Sequence, residues 1–466
     1  MPSKSRRDSA SKAPGSGTTE VYLSQQTGAS APRLGLAAAI AVVTGESIAL
    51  GIFLTPAAMA KSLGSPLLLG LVWLTMAIMA MCGALCYSEL AVRFPESGGE
   101  YVYLRSTFGE IPAFLYGWMS AIVMYPGVAA ALAVGAAPYF AQIVPGHSRL
   151  IALFPAAILC SFCAINLIGT RFSGAVMSSM NLLKIALLLL LVVWAFVSQH
   201  VHVANLLPLT ERRPGSDPLA VAIAGGIVSA FFSFGGWWEA GKIAGDVRNP
   251  QRNLPLAFVG GVSVVTVVYL LISGVFLSVV PIGQVASDTA FVAQFGSALF
   301  GQSGSRVLSC CVLVCVLGGI AALTMAAPRV VFAMSLKGSF LPSFGKLSPQ
   351  FGTPARAILL QTVLSLLVLS LGAFDRVLSF IIFSAVLFLA LTVATLFWQQ
   401  RPAGRWYPAA PIVFIVCCIG IDVLILLHDP IPALIGVGIV LAGLPLRRLL
   451  IPASSSSELV SQRSES

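Results

Sequence analysis

The chain has 466 residues, 57% of them hydrophobic and only 9% charged, and its mean hydropathy is +0.93. That composition excludes a soluble globular protein and puts most of the polypeptide in lipid. The net charge of +10 is read as a surplus of Lys and Arg in cytoplasmic loops rather than a footprint for nucleic acid.

The first 32 residues are rich in Ser, Lys, Arg, Gly and Pro with no apolar stretch close behind the basic ones, so a disordered cytoplasmic tail is expected in place of a signal peptide. The Ser-rich stretch 453–466 reads the same way. Spanning the hydrocarbon core takes roughly 20 apolar residues per helix. About twelve windows qualify, near 34–60, 66–92, 112–142, 149–168, 172–198, 218–242, 256–281, 305–334, 355–373, 375–398, 407–427 and 431–450. With an even number of spans, 20 of the 27 Lys and Arg residues fall on the side of the termini. Only Lys61, Arg149, Arg212, Arg213, Arg306 and Arg376 fall on the other, which predicts cytoplasmic termini.

Two of these windows are interrupted. In the first, Gly45 Glu46 Ser47 precedes Ile48 Ala49 Leu50 Gly51, and helix resumes at Ile52 Phe53. In the sixth, Phe232 Ser233 Phe234 is followed by Gly235 Gly236 Trp237. Irregular backbone at membrane depth needs a cavity or a ligand to satisfy it, so paired interruptions point to the substrate site of a transporter. A half-helix starting near Gly51 presents free N–H groups and the positive end of its dipole, a site for a carboxylate. Carbonyls left free around Phe232, Ser233 and Phe234 attract an ammonium, and the two together suit an α-amino acid. The glycines taken singly also suit close helix packing.

The strings themselves carry a resemblance covering nearly the whole chain. GESIALGIFLTP is similar to the first-helix signature of the amino acid–polyamine–organocation superfamily, and CYSELAVRFPESGGEYVYLRSTFG (Cys86–Gly109) resembles its second-to-third helix junction. FFSFGGWWEAGKIAGDVRNPQRNLP and APRVVFAMSLKGSFLP (Ala327–Pro342) resemble the L-type amino acid transporter branch and its bacterial relatives. The resemblance implies an all-α membrane protein of the LeuT-type fold. Its inverted repeats would cover about 34–198 and 218–398 within a ten-helix core of 33–400, with two peripheral helices in 401–452.

The resemblance also implies roles. The carboxylate-binding loop falls on Ala49, Leu50, Gly51 and Ile52, although Ala and Leu stand where relatives have Gly and a small residue. Phe232 matches the outer aromatic cap, Ser233 and Phe234 match the carbonyl donors for the amine, and Gly235 completes that segment. Lys184, in the fifth span, aligns with a lysine that replaces the cation of sodium-coupled relatives. Glu46 stands where relatives are neutral, and three readings stay open: a partner for Lys184, a protonatable switch, or a contact for a basic substrate. Trp238 and Glu239 are candidates for a side-chain pocket. Asp246, Arg248 and Arg252, like Glu89, Arg93 and Glu96, are read as ion pairs at the inner gate.

The nine cysteines lie in apolar windows and read as buried thiols. Cys82/Cys86 and Cys160/Cys163 have helical spacing but no His or carboxylate beside them, so no metal site is expected. His147, His200, His202 and His428 fall in or beside loops. No HExxH, GxSxG, Walker or Rossmann pattern occurs in a fitting context, so neither an enzyme nor a cofactor is expected. The loop Val144–Arg149 lacks the cysteine through which eukaryotic relatives bond a heavy subunit, and no such partner is expected. The reading is a sodium-independent amino acid permease of the plasma (inner) membrane that works by alternating access, as an exchanger or a proton-coupled permease. Neutral substrates come first, cationic amino acids or amines are the alternative, and a non-transporting sensor is the reading from another class. No sequence feature defines an oligomeric state.

Overall fold

The first window is two helices. A computed structural model describes residues 34–285, 288–372, 374–399, 406–428 and 430–450, so the two expected tails lie outside the described residues. α1 (Leu36–Ser47) stops before Ile48 and α2 (Gly51–Leu63) restarts the direction of travel. α2 ends on Gly64 at φ +69°, the left-handed conformation that closes a helix with little strain only for glycine. Ser65 then caps α3 (Pro66–Arg93), accepting from the Leu68 amide at 3.5 Å, with Pro66 in the first turn where its missing N–H is harmless.

α4 (Glu100–Phe108) and α5 (Glu110–Trp118) lead through a π-helical stretch, Met119–Met124, into α6 (Tyr125–Ile143). α7 (Ser148–Ile168) and α8 (Thr170–Val197) complete the first half. The second half repeats the interruption: α9 (Leu219–Phe234) breaks at Gly235 and Gly236, and a 3-10 segment, Trp237–Asp246, continues the span. α10 (Pro250–Val279), α11 (Asp288–Phe300), α12 (Gly304–Ala326), α13 (Pro328–Leu336), α14 (Ala355–Leu371) and α15 (Phe374–Ala394) follow, then α16 (Ala409–His428) and α17 (Pro430–Leu450).

Among the described residues ten helical stretches are long and apolar enough to cross a membrane, and Ala355–Leu371 and Ile382–Trp398 are shorter apolar helices. The expected windows therefore correspond to helices, with two corrections. α4 and α11 were not foreseen, because helices of 9 and 13 residues are too short to register in a spanning window. The window 305–334 is in fact α12 and α13, separated at Ala327 with Pro328 opening the second.

α1 occupies the centre, packed against α8, α10, α12 and the 3-10 segment, while α2 packs against α9. α16 and α17 pack on α15, with α16 also against α3, outside this nucleus. The lipid side is plain on α8, where Leu182 and Leu190 are 70% and 61% exposed while Asn181 and Lys184 on the opposite face are buried. In water such a face would drive aggregation; in hydrocarbon it is the expected surface.

Candidate functional site

The last turn of α1 leaves carbonyls without amide partners, at the negative end of the helix dipole. Lys184 answers them. Its Nζ donates to the carbonyls of Gly45 at 2.7 Å, Ile48 at 2.9 Å and Thr44 at 3.1 Å, using all three protons. Thr44 Oγ1 and Asn181 Oδ1, 2.9 Å apart, tie the same two helices together. A fully buried ammonium is tolerated because three carbonyl dipoles replace its water. The pairing of Lys184 with Glu46, one of the three open readings, is not formed among the described residues. Glu46 points to the other interruption, where a Cβ on Gly236 would stand 2.7 Å from its Cβ and Cγ. Gly236 has φ +95°, so glycine is needed there for conformation as well as for space.

Beyond the break, no hydrogen bond leaves the amides of Ala49, Leu50, Gly51 or Ile52 among the described residues. The bulk of Ala49 and Leu50 is housed elsewhere: Leu50 Cδ2 packs where a Cβ on Gly135 of α6 would lie, and Ala49 Cβ against Gly319 of α12. The substitutions that depart from the family pattern thus direct their side chains into glycine notches on neighbouring helices. Gly51 is in direct contact with Ser233, so the two interruptions meet.

The sixth-helix carbonyls are less free than expected. The Phe232 carbonyl accepts from the Gly235 amide at 3.3 Å, and the Ser233 carbonyl lies 2.7 Å from the Tyr269 hydroxyl, which is also 2.9 Å from the Ser47 carbonyl. One phenol proton is shared between a carbonyl of each broken helix. Tyr269 was missed from the sequence because nothing in an apolar window marks a tyrosine as facing two helix breaks. Phe232 is 44% exposed, whereas its neighbour Phe231 is buried.

Trp238 and Glu239 face different surroundings rather than one pocket. Trp238 lies against Gly235, stacks on Phe231 at 6.2 Å, and lines an apolar crevice with Met76 and Met79 of α3 and Phe414 of α16. Glu239 is fully buried, accepting from Lys242 Nζ at 2.8 Å and from the Tyr125 hydroxyl at 3.1 Å. Lys242 also reaches Glu100 Oε2 at 2.9 Å. Sequence reasoning placed Lys242 in the cytoplasmic surplus; its position three residues after Glu239 was the available signal for a pair on one helical face.

At the end of the bundle carrying Leu34 and Asp246, the chain is strapped together. The Leu34 amide donates to the Asp246 carbonyl at 2.9 Å and the Arg248 amide to the Leu34 carbonyl at 2.8 Å. The Asp246 carboxylate takes Arg329 of α13 at 2.6 Å, so its partner comes from across the bundle rather than from its own segment. Glu89 pairs with Arg93 at 2.8 Å and Glu96 with Lys337 at 2.7 Å. Among the described residues no group of three or more His, Cys, Asp or Glu residues is placed to hold a metal. All nine cysteines are free thiols; Cys160 and Cys310 are exposed, correcting the expectation of burial.

A helical bundle with two interrupted spans in contact at its centre defines a multi-pass membrane protein built as a transporter. The amino acid permease family model matches residues 34–441, and the chain belongs to this family, whose members are transporters and not enzymes. It is similar to the serine/threonine exchanger SteT of Bacillus subtilis, 28% identical over 89% of this chain and 95% of the relative. It is also similar to two mouse proteins. The b(0,+)-type amino acid transporter 1 is 26% identical over 77% of this chain and 74% of the relative. The large neutral amino acids transporter small subunit 2 is 26% identical over 95% of this chain and 86% of the relative.

Proposed function

We propose that this permease carries neutral amino acids across a plasma membrane, without sodium, by alternating access between the two broken helices. The observation that carries the reading is the run of four unbonded amides, Ala49 to Ile52, lying beside Ser233. These donors suit an α-carboxylate, and the segment Phe232 to Gly235 is the nearest source of acceptors for the α-amine. No ionised side chain stands in either segment, which favours an uncharged substrate side chain. Sodium independence follows from Lys184, whose ammonium occupies the carbonyls that a metal ion would otherwise need.

In this reading the Leu34–Asp246 end is cytoplasmic, as the distribution of Lys and Arg favours. Phe232, on the exposed side of α9, closes over the substrate. The mode is exchange or proton-coupled uptake; one relative, SteT, is named an exchanger. A heavy subunit is not part of the proposal, since the Val144–Arg149 loop has no cysteine.

The test is uptake of a labelled amino acid panel into proteoliposomes, empty or preloaded with unlabelled amino acids, with sodium or with potassium alone. Counterflow of neutral amino acids at equal rates in the two salts supports the reading. A sodium requirement, or binding without uptake of any amino acid, refutes it.

A further inference from the structure

The charges around the two interruptions do not balance: Glu100, Glu239, Lys184 and Lys242 are buried and Glu46 is half-buried. Glu46, Glu239 and Glu100 face Lys242 and Lys184, so two ammonium groups answer three carboxylates. Lys242 is shared by Glu239 and Glu100, and Lys184 spends its three protons on backbone carbonyls. Glu46 is left over. Its Oε2 is buried with no hydrogen-bond partner, and so is Oε2 of Glu239. An uncompensated carboxylate in a water-poor interior must acquire a cation or a proton.

The surroundings discriminate between these. A sodium or potassium ion requires several oxygen ligands around it. Here the neighbouring carbonyls of Thr44, Gly45 and Ile48 are held by Lys184, and those of Ser47 and Ser233 by Tyr269. A metal ion would have to share these carbonyls with the Lys184 ammonium and the Tyr269 hydroxyl, whereas a proton needs only the unbonded carboxylate oxygen of Glu46. The ionisable groups around Glu46 are Glu239 and Lys242 of the 3-10 segment, Glu100 of α4 and Lys184 of α8. Tyr125 of α6 joins through Glu239, Tyr269 of α10 through the Ser47 carbonyl, and Cys315 of α12 through Lys184. The cationic members of this set are already engaged, and the two other carboxylates repel an ionised Glu46.

We propose that Glu46 is the proton-binding carboxylate of this permease and couples an inward proton to the inward solute. The proposal rests on the transport reading above. Glu46 closes the last turn of α1 and lies on Gly236, so its charge acts between the two broken helices. When it is protonated, α1 and the 3-10 segment pack as seen here. Ionised, it is driven from Glu239 and Glu100, and the contact at Gly236 loosens.

Reconstituted wild-type protein and Glu46→Gln are compared in two assays, counterflow with preloaded vesicles at equal pH and net uptake into empty vesicles under an inward-acid gradient, with a pH-sensitive dye in the lumen. In the wild type the gradient raises net uptake at least about fivefold and the solute drives lumenal acidification. Glu46→Gln keeps counterflow within about threefold and loses both proton effects, while Glu46→Asp restores part of them. Wild-type counterflow without acid stimulation overturns the proposal, as does acid stimulation retained in Glu46→Gln. Selective loss of lysine and arginine uptake in Glu46→Gln, with acid stimulation intact, makes Glu46 a substrate counter-ion instead. If the wild type shows no counterflow, the transport reading fails separately, and infrared spectroscopy decides on the site. A protonated-carboxyl band that titrates with pH and is missing in Glu46→Gln supports proton binding at Glu46, and its absence overturns it.

Discussion

Gly51 of the first broken helix and Ser233 of the sixth touch so closely that a Cβ on Gly51 would overlap the serine hydroxyl and stand 3.0 Å from the Ser233 Cα. The two interruptions are therefore one structural feature, in which each break supplies the surface against which the other is packed. Gly51 also lies within the run of unbonded amides from Ala49 to Ile52.

Gly51→Ala forces the two breaks apart by the width of a methyl group. Overpacking of this kind typically destabilises by about 1–3 kcal/mol. Because the displaced amides are those assigned to the carboxylate, initial uptake rates should fall more than about tenfold, equivalent to about 1.4 kcal/mol of lost transition-state binding. Thermal melting in detergent and uptake in proteoliposomes separate the two effects. Wild-type uptake in Gly51→Ala would show that the close contact is not required.

Lys184→Met removes three donors from the end of α1: the Thr44 carbonyl keeps the Ile48 amide at 3.0 Å, while the Gly45 and Ile48 carbonyls lose the bond that Lys184 supplies. Unsatisfied buried carbonyls cost about 1–3 kcal/mol each, so a stability loss of about 2–4 kcal/mol is expected. Sodium should not restore uptake, because methionine leaves a filled, apolar space. Sodium-dependent rescue would contradict the assignment of Lys184 as a tethered cation.

Lys242→Met strands Glu239 and Glu100, which are both fully or almost fully buried. Breaking one side of a buried ion pair costs about 3–5 kcal/mol, whereas replacing all its members by neutral groups costs much less. The melting temperature of Lys242→Met should therefore lie below that of the triple variant Lys242→Met, Glu239→Gln, Glu100→Gln. Equal melting temperatures would show that the network is not electrostatically coupled.

Tyr269→Phe deletes only the hydroxyl shared by the Ser47 and Ser233 carbonyls; the ring keeps its place against Trp73 at 4.7 Å and Phe234 at 5.3 Å. The lost hydrogen bond is worth about 0.5–1.5 kcal/mol, and the fold should survive. Maximal uptake rate should drop more than apparent affinity, since the hydroxyl links the breaks and bonds none of the Ala49–Ile52 amides. A change in affinity alone would place Tyr269 in the substrate site.

The spans and the two interruptions were legible in the residues because hydrophobic length and misplaced glycines are local properties. Lipid demands a long apolar run whatever packs against it, and Gly45, Gly51, Gly235 and Gly236 mark where helix geometry is given up. Short amphipathic pieces such as α4 and α11 escaped that filter, since nothing about 9 or 13 residues requires a membrane.

What answers each buried polar group depended on partners 137 residues apart for Thr44 with Asn181 and 136 for Lys184 with Ile48, and on the rotation of each helix about its axis. The chain by itself determined that Glu46, Lys184, Glu239 and Lys242 would be near or within lipid, because they sit in or beside apolar runs. Only the tertiary structure decided that Lys184 turns to carbonyls, that Lys242 joins Glu239 to Glu100, and that one buried oxygen of Glu46 is left without a hydrogen bond. A charge in low dielectric takes the nearest compensating dipole, and which dipole is nearest is set by packing.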